Sequence, residues 1–157
     1  MAKLLVVAAI AWPLWLASGW WSGAQGGPPW LTAVTYLAAG RVCHQRPERS
    51  FSTAGVQWPV CGRCAGLYLA APFGALAAFL RWRRAGALPS PAWLLLAAAP
   101  TAVTLAVEWL GLAPVSSLMR MLSALPLGAA TAFYLVAVAG PPGNRPPGVG
   151  FGDHRIN

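Results

Sequence analysis

Four long apolar runs divide the sequence of 157 residues and constrain its fold more than any other feature. They cover about residues 4–21, 64–80, 92–110 and 118–139. Each run can cross the hydrocarbon core of a bilayer, which takes about 17–25 apolar residues in a helix. Only 9% of the residues are charged, whereas soluble domains carry about 25%. The pattern excludes an ordinary soluble enzyme and predicts an all-α integral membrane protein with a bundle of four transmembrane helices.

The segments between and after these runs complete the predicted architecture. Residues 30–39 are apolar but too short to span, so they predict one short interfacial or re-entrant helix. Residues 41–63 form a more polar loop that holds cysteines, and the Pro- and Gly-rich residues 141–157 predict a disordered tail. A single transmembrane domain is therefore expected over residues 1–140. In an alternative interpretation, residues 1–19 are a cleaved signal peptide with a basic start.

The formal net charge of +8 arises from eleven Lys and Arg residues against three acids. The arginines cluster between the apolar runs and the chain has nine Trp, which is typical of membrane interfaces rather than of nucleic-acid binding. We therefore expect the lipid bilayer and other membrane subunits as partners, and no nucleic acid. Four spans place both termini on one side. The positive-inside rule favours cytoplasmic termini and an outer 41–63 loop, once the arginines beside the cysteines are set aside.

All three cysteines and one of the two histidines lie within 22 residues of each other: Cys43, His44, Cys61 and Cys64. Thiolate and imidazole are the usual zinc donors, and three Cys with one His is a known tetrahedral set. The sequence therefore predicts a zinc site formed by these four residues. A c-type haem is disfavoured because Ala65, and not His, follows Cys64.

Two alternatives to metal binding stay open for the cysteines. Cys61 and Cys64 have the spacing of a redox pair at a helix N-terminus, where the helix dipole stabilises a thiolate, and Cys43 would be the exchanging thiol. The cysteines could also be buried thiols without a ligand. A structural metal indicates a scaffold subunit of a membrane assembly, whereas a metal with an open position indicates a metalloenzyme. The residues leave enzymatic activity and substrate open.

Glu108 is the one acid within an apolar run, and a carboxylate there needs a partner. Thr101 and Thr104 share its helix face by spacing. The second and third runs form a hairpin, so the start of the second and the end of the third meet at one membrane face. The expected partners of Glu108 are Arg120, Arg63, Arg49 and His44.

The arginine and serine side chains of the polar loop are of the kinds that bind phosphate or carboxylate. Alternatively, the arginines contact lipid headgroups. Tyr68 lies one turn beyond Cys64 and either donates to the site or is an interface aromatic. The residues expected to surround the metal or bind an anion are Gln45, Arg46, Arg49, Ser50, Arg63, Tyr68, Glu108 and Arg120.

Small residues recur every fourth position in two of the runs, which allows helices to approach closely. The two stripes are Gly66, Ala70 and Gly74 in the second run and Ala124, Gly128 and Ala132 in the fourth. We expect each stripe to face another helix rather than lipid.

Residues 43–51 read C-H-Q-R-P-E-R-S-F, and residues 59–68 read P-V-C-G-R-C-A-G-L-Y. These segments resemble the DUF2085 family of small prokaryotic membrane proteins, whose pattern is C-H-Q-x-P-x-R-S-F followed by P-V-C-A-R-C-T-G-I-Y. The segment from Glu108 to Arg120 is similar to a later family region, with Glu in place of Asp. The resemblance implies a multi-span protein of a prokaryotic inner membrane and points to the Cys, His and Arg cluster, but it implies no reaction.

Overall fold

The computed structural model describes residues 1–82, 90 and 92–140. The elements in chain order are α1 (Ala2–Ala24), α2 (Pro29–Gly40), a 3-10 turn (Pro47–Arg49), β1 (Ser50–Thr53), β2 (Val56–Cys61), α3 (Gly62–Trp82), α4 (Ala92–Trp109) and α5 (Ser117–Val138). The predicted disordered tail at residues 141–157 lies outside the described residues.

Helices α1, α3, α4 and α5 are each long and apolar enough to cross a membrane. The shorter α2 has 12 residues and begins with Pro29 in its first turn, where proline is well tolerated. The prediction of an all-α membrane protein with four spanning helices and one short helix is therefore confirmed. Each long helix contains a proline, which membrane helices accommodate when neighbouring groups satisfy the freed carbonyl.

The closest helix packing joins α3 and α5 through their small-residue stripes. A Cβ atom added at Gly66 would overlap the backbone carbonyl of Met121, and one at Gly74 would overlap that of Ala129. On the other side, a Cβ at Gly128 would overlap the backbone of Leu67. Both stripes therefore lie in a helix interface, as predicted, and they set the distance between the two helices.

Helix α4 packs on α5 through hydroxyl groups. The Thr101 hydroxyl donates to the Ser123 carbonyl at 2.8 Å, and the hydroxyls of Thr104 and Ser123 lie 3.1 Å apart. Because Glu108 follows one turn later on the same face, these contacts direct its side chain towards α5.

The sequence analysis missed a small β-hairpin between α2 and α3. Strands β1 and β2 are antiparallel, and Thr53 pairs with Val56 around the two-residue turn Ala54-Gly55. Both turn residues have positive φ, 53° and 73°, which is the conformation that tight hairpin turns require. Strand β2 leads without a linker into α3, so the hairpin fixes the position of the second cysteine motif.

Candidate metal centre

The three cysteine sulfurs lie within 4.8 Å of one another, although they come from three different elements. Cys43 follows α2, and its backbone N–H still donates to the Ala39 carbonyl at 2.9 Å. Cys61 ends β2, and Cys64 lies in the first turn of α3. The Cys61 N–H donates to Cys43 Sγ at 3.2 Å, which joins the two halves of the sequence motif directly.

A network of amides holds the Cys43 loop against the hairpin. Gln45 has a positive φ of 49°, and its Nε2 donates to the carbonyls of Tyr36 at 2.8 Å and Pro59 at 2.9 Å. The Gln57 amide donates back to the Gln45 carbonyl at 2.7 Å, and the Tyr36 hydroxyl donates to the Gln57 carbonyl. Gln45 was predicted to surround the site, and its side chain braces the backbone that carries Cys43.

The surroundings of Cys43 favour its thiolate form. The residue is buried in a cluster with Leu16, Val60 and Ala65. Hydrogen bonds from the Cys61 and Cys64 thiols, together with the Cys61 backbone N–H, lower the pKa of the Cys43 thiol below its usual range. The thiolate is the form of cysteine that ligates metals, so Cys43 is suited to bind a soft cation.

His44 is the predicted ligand that the structure does not bring into this group. Cys43 is buried, whereas the neighbouring His44 is exposed. His44 nevertheless lines the same cavity as the three cysteines. Among the described residues, the clustered metal-type ligands are therefore the three sulfurs.

Glu108 forms ion pairs with three arginines at the cysteine end of the bundle. Its Oε2 accepts from Arg63 at 2.9 Å, and its Oε1 lies 3.1 Å from Arg120 and 3.2 Å from Arg49. The side chains of Glu108, Arg63 and Arg120 are only 13%, 15% and 8% exposed. The predicted contact of Glu108 with arginines inside the bundle is confirmed, and it ties the end of α4 to the starts of α3 and α5.

A cavity of about 250 Å³ connects the arginines to the cysteines. Its polar lining consists of the three cysteines, His44, Gln45 and the four arginines Arg46, Arg49, Arg63 and Arg120. Arg46 is mostly exposed and lies 3.8 Å from Glu48, whereas Arg49 is only 37% exposed. The arrangement places a positively charged cavity directly beside the sulfurs.

The remaining predicted residues have positional roles. The Ser50 hydroxyl donates to the Arg46 carbonyl at 2.9 Å and so stabilises the 3-10 turn. Tyr68 packs edge-on against Trp12 with ring centroids 5.9 Å apart, next to the cysteine cluster. Tyr36 and Gln57 brace the site but were not predicted. Nothing in their residue types marked them, because the Tyr36 hydroxyl donates to the backbone carbonyl of Gln57, the Gln57 side chain donates to that of Gln45, and Gln57 belongs to a hairpin that was itself missed.

Fold and site together define a small helical membrane protein of the multi-span class, with a cysteine cluster at one end of its bundle. The chain belongs to the family described as "Predicted membrane protein (DUF2085)", whose model matches residues 43–134. The matched region begins at Cys43 and includes the cysteine cluster, Glu108 and Arg120, which confirms the resemblance drawn from the sequence.

Two archaeal relatives are similar to this chain. An uncharacterized protein of Methanocaldococcus jannaschii is 27% identical over 109 residues, which cover 69% of this chain and 70% of the relative. An uncharacterized protein of Methanothermobacter thermautotrophicus is 36% identical over 90 residues, which cover 55% of this chain and 78% of the relative. No solved structure matches the chain.

Proposed function

We propose that this protein binds one zinc ion through the thiolates of Cys43, Cys61 and Cys64, at one face of the membrane. The observation that carries the proposal is the convergence of three sulfurs within 4.8 Å from a loop, a strand end and a helix start. Zinc–sulfur bonds of about 2.3 Å place tetrahedral ligands roughly 3.8 Å apart. The upper limit of 4.8 Å on the distances between the sulfurs is compatible with this spacing.

Zinc is the metal that fits the donor set best. Three thiolates are soft ligands, which exclude the oxygen-seeking cations magnesium and calcium and favour zinc among common metals. Haem c stays disfavoured because the residue after Cys64 is alanine.

The fourth ligand decides between a structural and a reactive centre. If the His44 side chain turned inwards, it would complete the predicted Cys₃His set and close the site, as structural zinc sites are closed. The exposed position of His44 and the cavity beside the sulfurs favour a site with three protein ligands and an exchangeable fourth position. That arrangement is the one catalytic zinc sites use. The scaffold role and the association with other membrane subunits stay predictions.

Metal analysis of protein purified in detergent without chelator tests the proposal. We expect about one zinc per chain, its loss in Cys61→Ser and Cys64→Ser, and its retention in Ser52→Ala, a control on the exposed part of β1. Retention of zinc in His44→Ala would support the exchangeable fourth position, and its loss would support the closed Cys₃His site. Protein without zinc whose Cys61 and Cys64 form a reversible disulfide would overturn metal binding in favour of thiol exchange.

The membrane orientation proposed from the sequence is also supported by the ion pairs. Arg49, Arg63 and Arg120 all contact Glu108, which gives each of them a use in the site that is independent of topology. When they are set aside, the positive-inside rule favours cytoplasmic termini and an outer cysteine face in a prokaryotic inner membrane. Reporter fusions at the C-terminus test this. We expect a fluorescent green fluorescent protein fusion and an inactive alkaline phosphatase fusion, and the opposite pair would reverse the orientation.

A further inference from the structure

The arginines at the cysteine end of the bundle carry more positive charge than the nearby acids compensate. Three guanidinium groups, those of Arg49, Arg63 and Arg120, share the single carboxylate of Glu108. The other acid of the described residues, Glu48, lies beside the exposed Arg46 at 3.8 Å. The partly buried group of three arginines and one carboxylate therefore carries a net charge of about +2.

The cysteines do not remove this excess. One zinc ion with three thiolates carries a single net negative charge, which leaves the group of arginines and metal centre positive. Because charges sheltered from water interact strongly, an excess of this kind favours the entry of an anion.

The cavity beside the arginines has the size and chemistry for a small oxyanion. Its volume of about 250 Å³ is below the range of about 300–1,000 Å³ that is typical of pockets for drug-sized ligands. Arg46 and Arg49 line its more exposed part, while Arg63 and Arg120 are held in place by Glu108. Guanidinium groups bind phosphate through paired, parallel N–H donors, which gives them both strength and geometry.

We propose that this cavity binds a phosphate group, either free phosphate or the phosphodiester of an anionic lipid headgroup. The guanidinium of Arg49, which is only partly used by Glu108, and that of Arg46 are the principal donors. The binding goes beyond the proposed zinc site, since it depends on the arginines and not on the thiolates. A phosphate in the cavity would also lie next to the exchangeable position of the metal.

Calorimetric titration of the purified protein in a neutral detergent tests the proposal with two probes, inorganic phosphate and short-chain phosphatidylglycerol. We expect saturable binding of at least one probe. Arg49→Gln should weaken it by about tenfold or more, because a charge-assisted hydrogen bond contributes about 1.5–3 kcal/mol. Arg46→Gln is the second variant. The exposed side chain of Arg46 pairs with Glu48 and not with Glu108, so its replacement should leave the fold intact. Arg41→Gln, an exposed arginine outside the cavity, is the matched control.

Weaker binding in either cavity variant, with Arg41→Gln unchanged, would support the proposal. Binding of inorganic phosphate would identify free phosphate as a ligand, and binding of phosphatidylglycerol alone would identify the lipid headgroup. The absence of saturable binding of both probes, or equal binding in the wild type, Arg46→Gln and Arg49→Gln, would overturn it. Zinc content is measured in the same samples, so that a failed anion site and a failed metal site are told apart.

Discussion

Arg63 Nη2 donates to Glu108 Oε2 at 2.9 Å across 45 positions of the chain, and this contact joins the first turn of α3 to the last turn of α4. Arg63 stands between Cys61 and Cys64 in the sequence. The same carboxylate therefore restrains the segment that carries two of the three sulfurs. The Glu108 carboxylate also pairs with Arg49 and Arg120. Its removal should therefore lower the stability of the whole helix bundle and not only break one contact.

Replacement of Glu108 by Gln is expected to destabilise the protein strongly. The change leaves three guanidinium groups close together without a carboxylate, and breaking a buried ion pair in this way costs on the order of 3 kcal/mol. The measurement is thermal unfolding in detergent. The control is Glu48→Gln, whose exposed ion pair at 3.8 Å should contribute less than about 1 kcal/mol. Equal unfolding temperatures of Glu108→Gln and the wild type would show that the arginines do not depend on this carboxylate.

The substitution Gly74→Leu is expected to force α3 and α5 apart. Even a Cβ atom at this position meets the backbone carbonyl of Ala129, which cannot move like the end of a side chain. Overpacking of this kind costs about 1–3 kcal/mol or more, so the unfolding temperature in detergent should fall. Ala77→Leu, on the exposed side of the same helix, should change it little. An unchanged unfolding temperature for Gly74→Leu would contradict the close packing of the two helices.

Gln45→Ala is expected to lower the affinity for zinc without removing a ligand. The change deletes the two hydrogen bonds to the carbonyls of Tyr36 and Pro59 that hold the Cys43 loop on the hairpin. Loss of such an outer brace typically lowers metal affinity by about 10–100-fold. Competition with a chromophoric chelator measures the affinity. Gln25→Ala, at the exposed end of α1, is the control. If Gln45→Ala and the wild type compete equally well with the chelator for zinc, these hydrogen bonds do not contribute to the zinc affinity.

Much of the fold could be predicted from the sequence, because apolar runs of this length have few alternatives to spanning helices. The partners of Glu108 were predictable for a related reason, since a charge within an apolar run must find a counter-charge. The hairpin was not predicted because its strands have four and six residues and a proline interrupts the second. The β-branched and aromatic residues on both sides of Ala54-Gly55 were the signal that could have found it, although Ala-Gly is not one of the typical hairpin turn pairs.

The direction of His44 could not be predicted from its position next to Cys43. Two consecutive residues reach one ion only if the backbone turns between them, and the sequence does not fix that turn. In the structure, the Cys43 N–H is hydrogen-bonded to the Ala39 carbonyl in the last turn of α2, and Gln45 adopts the left-handed conformation. His44 lies between these two residues and is exposed.

Removal of the metal is expected to destabilise the native protein. A ligand that binds only the folded state raises its stability by about 4 kcal/mol when its concentration is 1,000 times the dissociation constant. A strong chelator should therefore lower the unfolding temperature of the wild type, and added zinc should restore it. Cys64→Ser, which lacks a ligand, should respond to neither addition. A chelator effect of the same size in Cys64→Ser would place the bound metal elsewhere.

X-ray absorption at the zinc edge of the purified protein tests the central claim most directly, because it counts the atoms that surround the ion. The proposed zinc centre predicts three sulfur neighbours at about 2.3 Å and one lighter nitrogen or oxygen neighbour at about 2.0–2.2 Å. In Cys61→Ser the zinc-edge signal should be lost together with the ion, while in Ser52→Ala the number of sulfur neighbours should stay at three. A zinc ion surrounded only by nitrogen and oxygen, or by fewer than three sulfurs in the wild type, would contradict the three-cysteine centre.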